Sequence, residues 1–241
     1  MWMSRNAMSY KNFFRMDFKK HTNPFSDTLT ILTNLLKGKT KILELGPGSQ
    51  NKFSLATHSC GLETCDFSTD PLPYKDKEFD FIYCRHVVED LYNPFLLMQE
   101  MNRVGKAGYI ETPSPLVEMT RGLDGDSNPP NPWRGYHHHH YFVWSHEGVL
   151  NFLIKYPIVE YAKTNDSGME KILKEYPFAW NTYYLWTDKI KYNHFQHHLD
   201  ANLNQGKYAA LIEKGVQQGN ESSYQFFKDR KDLLKNEASN G

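Results

Sequence analysis

The sequence predicts an α/β fold with a doubly wound, mostly parallel sheet and an added C-terminal region of strands and helices. Short apolar runs alternate with segments of helical periodicity through the first half of the chain, which is the pattern of strands joined by crossover helices. Glycine or proline punctuates these segments. The 241 residues are enough for one domain with appended elements, and we do not expect two full domains.

The first predicted elements lie between residues 27 and 66. A lead-in helix over Asp27–Leu36 precedes a short apolar strand over Lys41–Leu45, which ends at Gly46. We then expect a short helix over Lys52–Cys60 and a second strand over Leu62–Asp66, which together would complete a compact βαβ unit.

A central strand and a crossover helix come next. Phe79–Cys84 is apolar on both faces, as expected of a buried parallel strand. Asn93-Pro94 opens a helix, because proline is tolerated at the first helical position, and the helix ends at Gly105. A further strand is predicted over Gly108–Thr112.

The second half of the chain changes in composition near Glu118. A long segment rich in glycine, proline and aspartate runs to Tyr136 and is typical of a functional loop. Beyond it we predict a helix at His146–Ile154, two polar helices near the C-terminus, and strands at Tyr141–Trp144, Pro157–Ala162 and Trp180–Trp186. We therefore divide a single domain into a lead-in helix region (residues 1–39), a core (residues 40–117), and a lid loop with aromatic strands and helices packed on the core (residues 118–241).

Composition argues against several classes of function. The 28 lysine and arginine residues balance 28 aspartate and glutamate residues, so no global field draws the chain to nucleic acid. Mean hydropathy is -0.67, and no apolar run approaches the roughly 20 residues of a membrane span. The first residues lack the apolar stretch of a secretory signal, so we expect a cytoplasmic protein. We also expect the three cysteines, Cys60, Cys65 and Cys84, to be reduced and buried.

The turn after the first strand reads ELGPGS over Glu44–Ser49. Glycine lacks a Cβ, so backbone N–H groups in such a turn can come close to a bound ligand. A dinucleotide fingerprint would need a third small residue where Asn51 stands, which disfavours a pyrophosphate ligand. The pattern E-x-G-x-G, with an acid two positions before the first glycine, matches this turn instead.

This turn is part of a longer pattern. ELGPG, the segment LPYKDKEFDFIYCRHVVEDL, and the helix, GKAG turn and strand after it occur in the order of one family and nearly at its spacing. From Lys41 to Pro113 the chain resembles the class I S-adenosylmethionine-dependent methyltransferases, specifically their small-molecule, type-11-like branch. The resemblance implies an abbreviated Rossmann-like sheet, S-adenosyl-L-methionine as the cofactor, and methyl transfer to a small polar acceptor.

The resemblance also assigns residues to the cofactor. In the family the glycine turn holds the amino-acid end, and an acid at the end of the second strand binds the ribose hydroxyls. Asp66 follows Gly46 by about 20 positions, which suits the second role. The implied cofactor contacts are Glu44, Gly46, Pro47, Gly48, Asp66, Leu72, Cys84 and Arg85.

One departure from the family leaves a second function open. Only Phe67–Pro71 separate Asp66 from Leu72, where the family has a helix and a third strand. An element of the adenine pocket is therefore missing from the pattern. The alternative is a catalytically inactive relative of the fold that serves as a binding or regulatory protein.

Three residues are candidates for chemistry on the acceptor. A methyltransferase acting on a hydroxyl must hold the oxygen near the methyl group and remove its proton. His86 follows the central strand and Glu111 ends the next one, which is where a parallel sheet places its ligands. His86 would otherwise cap a helix with Glu89 and Asp90. His138 is the third candidate.

His137–His140 raise the question of a metal, to which Asp124 and Asp126 could add oxygens. Adjacent residues of an extended segment point to opposite sides, so at most two alternate histidines would face one point. The spacings of zinc motifs are absent, and we predict no metal site. Metal-dependent chemistry at this histidine run is a third, less favoured function.

Aromatic residues give the one indication of substrate class. They alternate along the predicted C-terminal strands, and one of their faces could stack on a sugar. We therefore expect a small-molecule acceptor, a sugar or sugar-containing metabolite by preference, and no nucleic-acid or membrane partner. The sequence gives no oligomeric state.

Overall fold

The computed structural model of the protein describes residues 23–48, 52–124, 132–162, 168–199 and 206–234. The helices are α1 (Pro24–Leu35), α2 (Pro94–Val104), α3 (Pro115–Met119), α4 (Pro157–Glu160), α5 (Met169–Glu175) and α6 (Lys207–Asp229), and a 3-10 helix spans Pro177–Trp180. The strands are β1 (Ile42–Leu45), β2 (His58–Cys60), β3 (Phe81–Arg85), β4 (Ala107–Pro113), β5 (Tyr141–His146), β6 (Val149–Ile154), β7 (Asn181–Thr187) and β8 (Tyr192–Phe195). Ser49, Asn51 and Asp126 of the sequence predictions lie outside these ranges.

The main sheet has the strand order β2-β1-β3-β4-β7. Its first four strands are parallel, and β7 runs antiparallel to β4. Glu44 is aligned with Tyr83, and Tyr83 with Tyr109, so these side chains share one face. The predicted α/β fold with a mainly parallel, Rossmann-like sheet is confirmed.

Apolar clusters cover both faces of the main sheet. One face carries Tyr83 and Tyr109 in a cluster with Ile31 of α1 and Phe226 of α6. The other carries Leu43, Ile82 and Ile110 in a cluster with Met98 of α2 and Val143 of β5. Strands buried on both faces explain why their sequences read as continuous apolar runs.

The second sheet has the order β5-β6-β8. β5 and β6 form a tight hairpin whose turn residues, Glu147 and Gly148, have φ of 49° and 72°. Two left-handed residues define a hairpin turn whose twist matches the strands. The predicted helix at His146–Ile154 is therefore wrong, since the glycine acts as a turn residue and not as part of a helix.

The second predicted strand is also misplaced. β2 lies at His58–Cys60, and Leu62–Asp66 forms a turn in which the Cys65 N–H donates to the Gly61 carbonyl at 3.2 Å. The predicted helix over Lys52–Cys60 is absent. β2 is an edge strand with two exposed residues, so it carries no apolar pattern by which the sequence could locate it.

Two further predictions in the C-terminal part are corrected. Pro157 begins a short helix, α4, where a strand was predicted, because its fixed φ suits the first helical turn. The two predicted C-terminal helices are one helix of 23 residues, α6. Gly215 and Gly219 do not break it, because they let it approach Trp144, whose ring carbon would lie 3.1 Å from a Cβ on Gly215.

The remaining sequence predictions for the core agree with the structure. The lead-in helix, the strands now labelled β1, β3, β4, β5 and β7, and the crossover helix α2 lie within a few residues of their predicted bounds. Asn23 caps α1 through a hydrogen bond from the Ser26 N–H. The cysteines are buried and form no disulfide. Among the described residues, no helix combines the length and apolar character needed to cross a membrane.

Gly108 gives a test of how tightly β3, β4 and β7 pack. A Cβ at this position would lie 2.6 Å from the Ile82 carbonyl oxygen and 2.7 Å from Trp186 Nε1. We expect Gly108→Ala to lower the free energy of unfolding by about 1–3 kcal/mol, because the backbone of β3 cannot move away. Urea unfolding measures the effect.

Gly48→Ala is the matched control for Gly108→Ala. No described atom lies within 4 Å of the Cβ position at Gly48. The free energy of unfolding of Gly48→Ala should therefore equal or slightly exceed that of the parent protein. Equal losses in the two variants would contradict the packing argument.

Candidate active site

The glycine turn follows β1 at the carboxyl edge of the sheet. Gly46 has φ of 64°, and its N–H donates to the Cys60 carbonyl at 2.9 Å. A Cβ on Gly46 would lie 2.5 Å from Val87 Cγ2, so only glycine fits there. Gly48, in contrast, borders space that no described residue fills. Among the residues that the structure describes, the turn is thus packed at its first glycine and has no neighbour against its second, with Pro47 between them.

Glu44 fastens the segment that follows the turn. Its carboxylate is buried and accepts a hydrogen bond from the Phe53 N–H at 3.0 Å. The Phe53 ring stacks on Tyr83, with centroids 4.1 Å apart. Burial raises the pKa of the Glu44 carboxyl, against the lowering effect of the Phe53 N–H. Glu44 therefore holds the backbone at Phe53, in the segment after the glycine turn, against β1.

Glu63 and Asp66 both lie in the turn that follows β2, and the sequence analysis assigned only Asp66 to the cofactor. Asp66 is exposed in the turn after β2, where its Oδ1 accepts a hydrogen bond from the Ser68 N–H at 2.8 Å. Glu63 lies nearer the end of the strand: a Cβ on Gly61 would be 2.5 Å from Glu63 Oε2. The sequence analysis missed Glu63 because it placed the second strand too late in the chain.

Leu72 and Cys84 are both buried. The Leu72 N–H donates to Glu100 Oε2 at 2.8 Å. Cys84 is fully buried on the sheet face that packs against α2, and burial raises the pKa of its thiol. A role for either residue in cofactor contact stays a prediction.

Arg85 and Glu111 form an ion pair across β3 and β4. Arg85 Nε donates to Glu111 Oε1 at 3.1 Å, and its guanidinium carbon lies 4.8 Å from the centre of the Phe25 ring. Glu111 is 1% exposed and also accepts hydrogen bonds from the Tyr109 hydroxyl at 2.5 Å and Asn181 Nδ2 at 2.6 Å. Both of its oxygens have partners, which favours a positioning role for Glu111 over that of a proton acceptor.

His86 stands at the end of the central strand in an uncommon conformation. Its φ is 53°, and its N–H donates to the Glu111 carbonyl at 2.8 Å. The residues directly after it form a turn, so it does not cap a helix. Its Nδ1 lies 3.2 Å from Glu89 Oε1, a carboxylate that is 1% exposed. A non-glycine residue held in the left-handed region is a feature found at functional sites.

The His86–Glu89 pair has the geometry of an oriented base. Because Nδ1 pairs with Glu89, Nε2 is the ring nitrogen left to accept a proton, and the described residues give it no hydrogen-bond partner. The imidazole is part-exposed. A carboxylate that orients one nitrogen of a histidine while the other meets substrate is a recurrent catalytic arrangement.

A chain of buried charged groups lies beside His86. His139 Nδ1 is 2.7 Å from Glu118 Oε1, and Lys155 Nζ is 2.7 Å from Glu118 Oε2 and 3.5 Å from Glu160 Oε1. At its other end, His139 Nε2 is 3.3 Å from Asp90 Oδ1. Sequence analysis missed this network, because its members come from four separate segments with no local signal.

Opposing effects set the protonation of the network. Burial acts to raise the pKa of Glu118, but the His139 hydrogen bond and the charges of Lys155 and His139 outweigh it, so the pKa is lowered. Burial acts to lower the pKa of His139, but Glu118, Glu89 and Asp90 outweigh it, so the pKa is raised. The lowered pKa of Glu118 and the raised pKa of His139 both favour a charged carboxylate in contact with a charged imidazole.

His138 joins the same cluster from the exposed side. Its Nε2 lies 3.7 Å from Asp90 Oδ1, and its side chain is 55% exposed. His86 is also near enough to Asp90 for its charge to lower the pKa of that carboxyl, although burial and Glu89 raise it overall to about 6. Of the three predicted catalytic residues, the structure therefore gathers His86 and His138 around Asp90, and connects Glu111 to His86 through the backbone.

The comparisons with known proteins identify a methyltransferase-type segment. Residues 41–110, from β1 into β4, match the sequence model of the methyltransferase domain family. The resemblance drawn from the sequence is thereby confirmed over that segment. No curated protein matches the chain.

Solved structures similar to the chain include two with low TM-scores. One is a complex between the Haloferax volcanii Trm112 methyltransferase activator and a protein described as a methyltransferase, at 12% identity, with 66% of this chain and 89% of that chain covered and a TM-score of 0.32. Another is the N-terminal domain of EvdMO1 in the presence of SAH and D-fucose, at 15% identity, with 78% of this chain and 82% of that chain covered and a TM-score of 0.28.

Lys155 tests whether the buried charges depend on one another. We expect Lys155→Met to lower the free energy of unfolding by about 3–5 kcal/mol, because it leaves carboxylates uncompensated in the interior. Chemical denaturation at neutral pH measures the loss.

Lys174→Met is the matched control for Lys155→Met. Lys174 pairs with Glu170 on the surface, where both side chains are exposed. Its loss should change stability by no more than about 0.5 kcal/mol. Similar small effects at the two lysines would refute the assignment of Lys155 to a tightly coupled network.

Proposed function

We propose that the protein is an S-adenosylmethionine-dependent methyltransferase that acts on a small polar acceptor. One observation carries the proposal: the segment that matches the methyltransferase domain, residues 41–110, supplies the parallel strands whose carboxyl ends bring together the glycine turn, His86 and the Arg85–Glu111 pair. Ligands of open parallel sheets bind at that edge.

The residues at this edge suit the cofactor. Gly48 leaves open space where backbone groups can approach an amino-acid moiety, while Gly46 holds the turn against Val87. Glu63 and Asp66 supply exposed carboxylates after β2 for ribose hydroxyls. S-adenosylmethionine supplies an electrophilic methyl group on a sulfonium ion.

In the proposed reaction His86 removes the proton of the acceptor. Glu89 holds the imidazole through Nδ1, so that Nε2 would take the proton of an acceptor hydroxyl. The bound cofactor would supply the methyl group, with its C–S bond breaking and S-adenosylhomocysteine as the leaving group. Glu111 positions Arg85 and, through its carbonyl, the backbone of His86. Arg85 lies at the same edge of the sheet, and its guanidinium group packs on the ring of Phe25.

Aromatic residues near the histidine run support a sugar acceptor. Trp133 and Tyr136 are part-exposed and contact His137 and His139, with ring centroids 5.6 Å and 4.8 Å apart. Tyr92, which the sequence analysis did not select, is 80% exposed and stacks beside His140 at 3.8 Å. Exposed aromatic faces next to a polar site are suited to stacking on sugar rings.

Titration calorimetry with S-adenosylhomocysteine tests cofactor binding. We expect one site per chain. Gly48→Val should weaken binding without lowering the unfolding midpoint, because its side chain would project into the open space of the turn. Loss of the ribose acid, by Glu63→Gln or Asp66→Asn, should weaken binding about tenfold or more.

Glu147→Gln, at the exposed tip of the β5–β6 hairpin, is the control for the acid variants and should bind as the parent protein does. An absence of heat at millimolar ligand would overturn the methyltransferase proposal. It would favour the alternative, a relative of the fold that binds a partner, in keeping with the absence of a described helix between β1 and β2.

His86→Gln tests the proton acceptor. We expect it to retain S-adenosylhomocysteine binding but to lose about 10²–10⁴-fold in the rate of methyl transfer. The assay uses S-adenosylmethionine labelled in the methyl group and a panel of free and nucleotide-linked sugars. His146→Gln, in the β5–β6 hairpin, is the matched control, and full activity in His86→Gln would exclude this residue as the base.

A further inference from the structure

Asp90, His138 and His139 converge on one point. One ligand atom from each of these side chains lies within 4.8 Å of the other two. His138 and His139 are neighbours in the chain, and an extended segment would direct them apart. They occur instead in a turn closed by a hydrogen bond from the His139 N–H to the Tyr136 carbonyl at 3.2 Å, and this turn brings both rings to Asp90.

The distances match those of a metal-binding set. Ligands bound about 2.0–2.1 Å from a tetrahedral zinc ion lie about 3.4 Å from one another. Asp90 Oδ1 is 3.3 Å from His139 Nε2 and 3.7 Å from His138 Nε2. Two imidazole nitrogens and one carboxylate oxygen are also the ligand types that zinc accepts.

The contacts of His139 give a second, independent reason. Its Nδ1 lies 2.7 Å from Glu118 Oε1, so a carboxylate already occupies that side of the ring. Its Nε2 faces Asp90 Oδ1 at 3.3 Å, and this oxygen is buried without a hydrogen-bond partner among the described residues. The ring thus directs its second nitrogen at an unpartnered carboxylate oxygen, as two ligands of one ion would.

The surroundings of His139 resemble the support of a metal ligand. Its ring is 6% exposed, and Glu118 holds its orientation while Lys155 in turn holds Glu118. Histidine ligands of metals generally donate their other ring N–H to such a carboxylate, which fixes the tautomer and the direction of the ring. His138, on the exposed side, leaves the point of convergence accessible to solvent.

A second set of possible ligands is less suitable. Asp124, His137 and His138 also come within 4.8 Å of one another. The Asp124 carboxylate, however, already accepts hydrogen bonds from Trp133 Nε1 and from the ring and backbone of His137. Both histidines of that set are exposed, and the carboxylate that contacts the His137 ring is Asp124 itself, a member of the set.

We propose that Asp90, His138 and His139 bind a divalent transition-metal ion of the zinc type, with an open coordination position on the exposed side. Three protein ligands and one open position are the arrangement of zinc sites that bind water or substrate oxygen. The site adjoins His86, so a hydroxyl bound there would lie near the proposed base. The metal site stands whether or not the chain binds S-adenosylmethionine.

Zinc titration of the metal-free full-length protein tests the site. The protein is dialysed against a chelator, and Zn²⁺ binding is measured by calorimetry, with Co²⁺ as a spectroscopic probe of coordination. We expect one Zn²⁺ per chain and a visible Co²⁺ absorption band of a low-symmetry site. Asp90→Asn and His138→Gln should each weaken Zn²⁺ binding by a factor of at least about 10–100.

Asp124→Asn is the matched control, since it removes a carboxylate beside the same histidine run. It should bind Zn²⁺ as the parent protein does. If Asp124→Asn abolishes binding and Asp90→Asn does not, the other set holds the metal and the proposal is wrong. Unchanged binding in Asp90→Asn would mean that the histidine run alone captures the ion, which also overturns it.

The parent protein gives the remaining outcomes. No stoichiometric Zn²⁺ binding would mean that a proton on His139 closes the contact, and the metal proposal would fail. S-adenosylhomocysteine binding is measured on the same metal-free sample, so loss of either ligand is seen separately from loss of the other. Circular dichroism of each variant shows that a loss of binding is not a loss of folding.

Discussion

The parallel pairing of β3 with β1 on one side and β4 on the other determines where the candidate site lies. This pairing brings the turn at Gly46, the imidazole of His86 and the carboxylate of Glu111 to one edge of the sheet. The backbone hydrogen bond from His86 to the Glu111 carbonyl extends the β3–β4 ladder past the last residue of β3. His86 is thereby held in its left-handed conformation by the sheet itself, and its ring can turn towards Glu89.

Buried charge is the second constraint, and it links the site to the C-terminal part of the chain. The His140 N–H donates to the Glu89 carbonyl, and the Lys155 N–H donates to the His140 carbonyl. These bonds place the histidine turn against the loop after β3, at the end of β6. A buried ion pair contributes little net stability, but loss of one partner costs several kcal/mol. The network therefore determines where the histidine turn docks and adds little to the free energy of unfolding.

In the main sheet, the sequence predicts the strands that are buried on both faces and misplaces the exposed edge strand. β1, β3, α2 and β4 have apolar runs or helical spacing and lie close to where their patterns place them. β2 is a short exposed edge strand, so the acid that follows it, Glu63, could not be located from spacing alone. The β6 segment was predicted as a helix, because Glu147 suits the first turn of a helix, but Glu147 and Gly148 instead form the tight turn between β5 and β6.

The candidate site shows the same division. Gly46, His86 and Glu111 were predicted because each lies at or near the end of a strand that has a clear apolar pattern in the sequence. Glu118 and Lys155 are 37 positions apart and were missed, since their pairing depends on how the second sheet docks. The histidine run was detected, but its geometry was predicted for an extended segment, and a single turn reverses the conclusion by bringing adjacent rings together.

Charge balance in the network bears on what Asp90 contacts. The chain of contacts from Asp90 through His139 and Glu118 to Glu160 contains three carboxylates and the ammonium group of Lys155. Arg134, a buried cation nearby, donates hydrogen bonds to the Met119 and Ala162 carbonyls, and its backbone N–H donates to the Glu160 carbonyl. The network therefore holds its carboxylates against cations that come from separate segments of the chain. Asp90 is the exposed end of this network, and a divalent cation bound there would add positive charge where the contacts open to solvent.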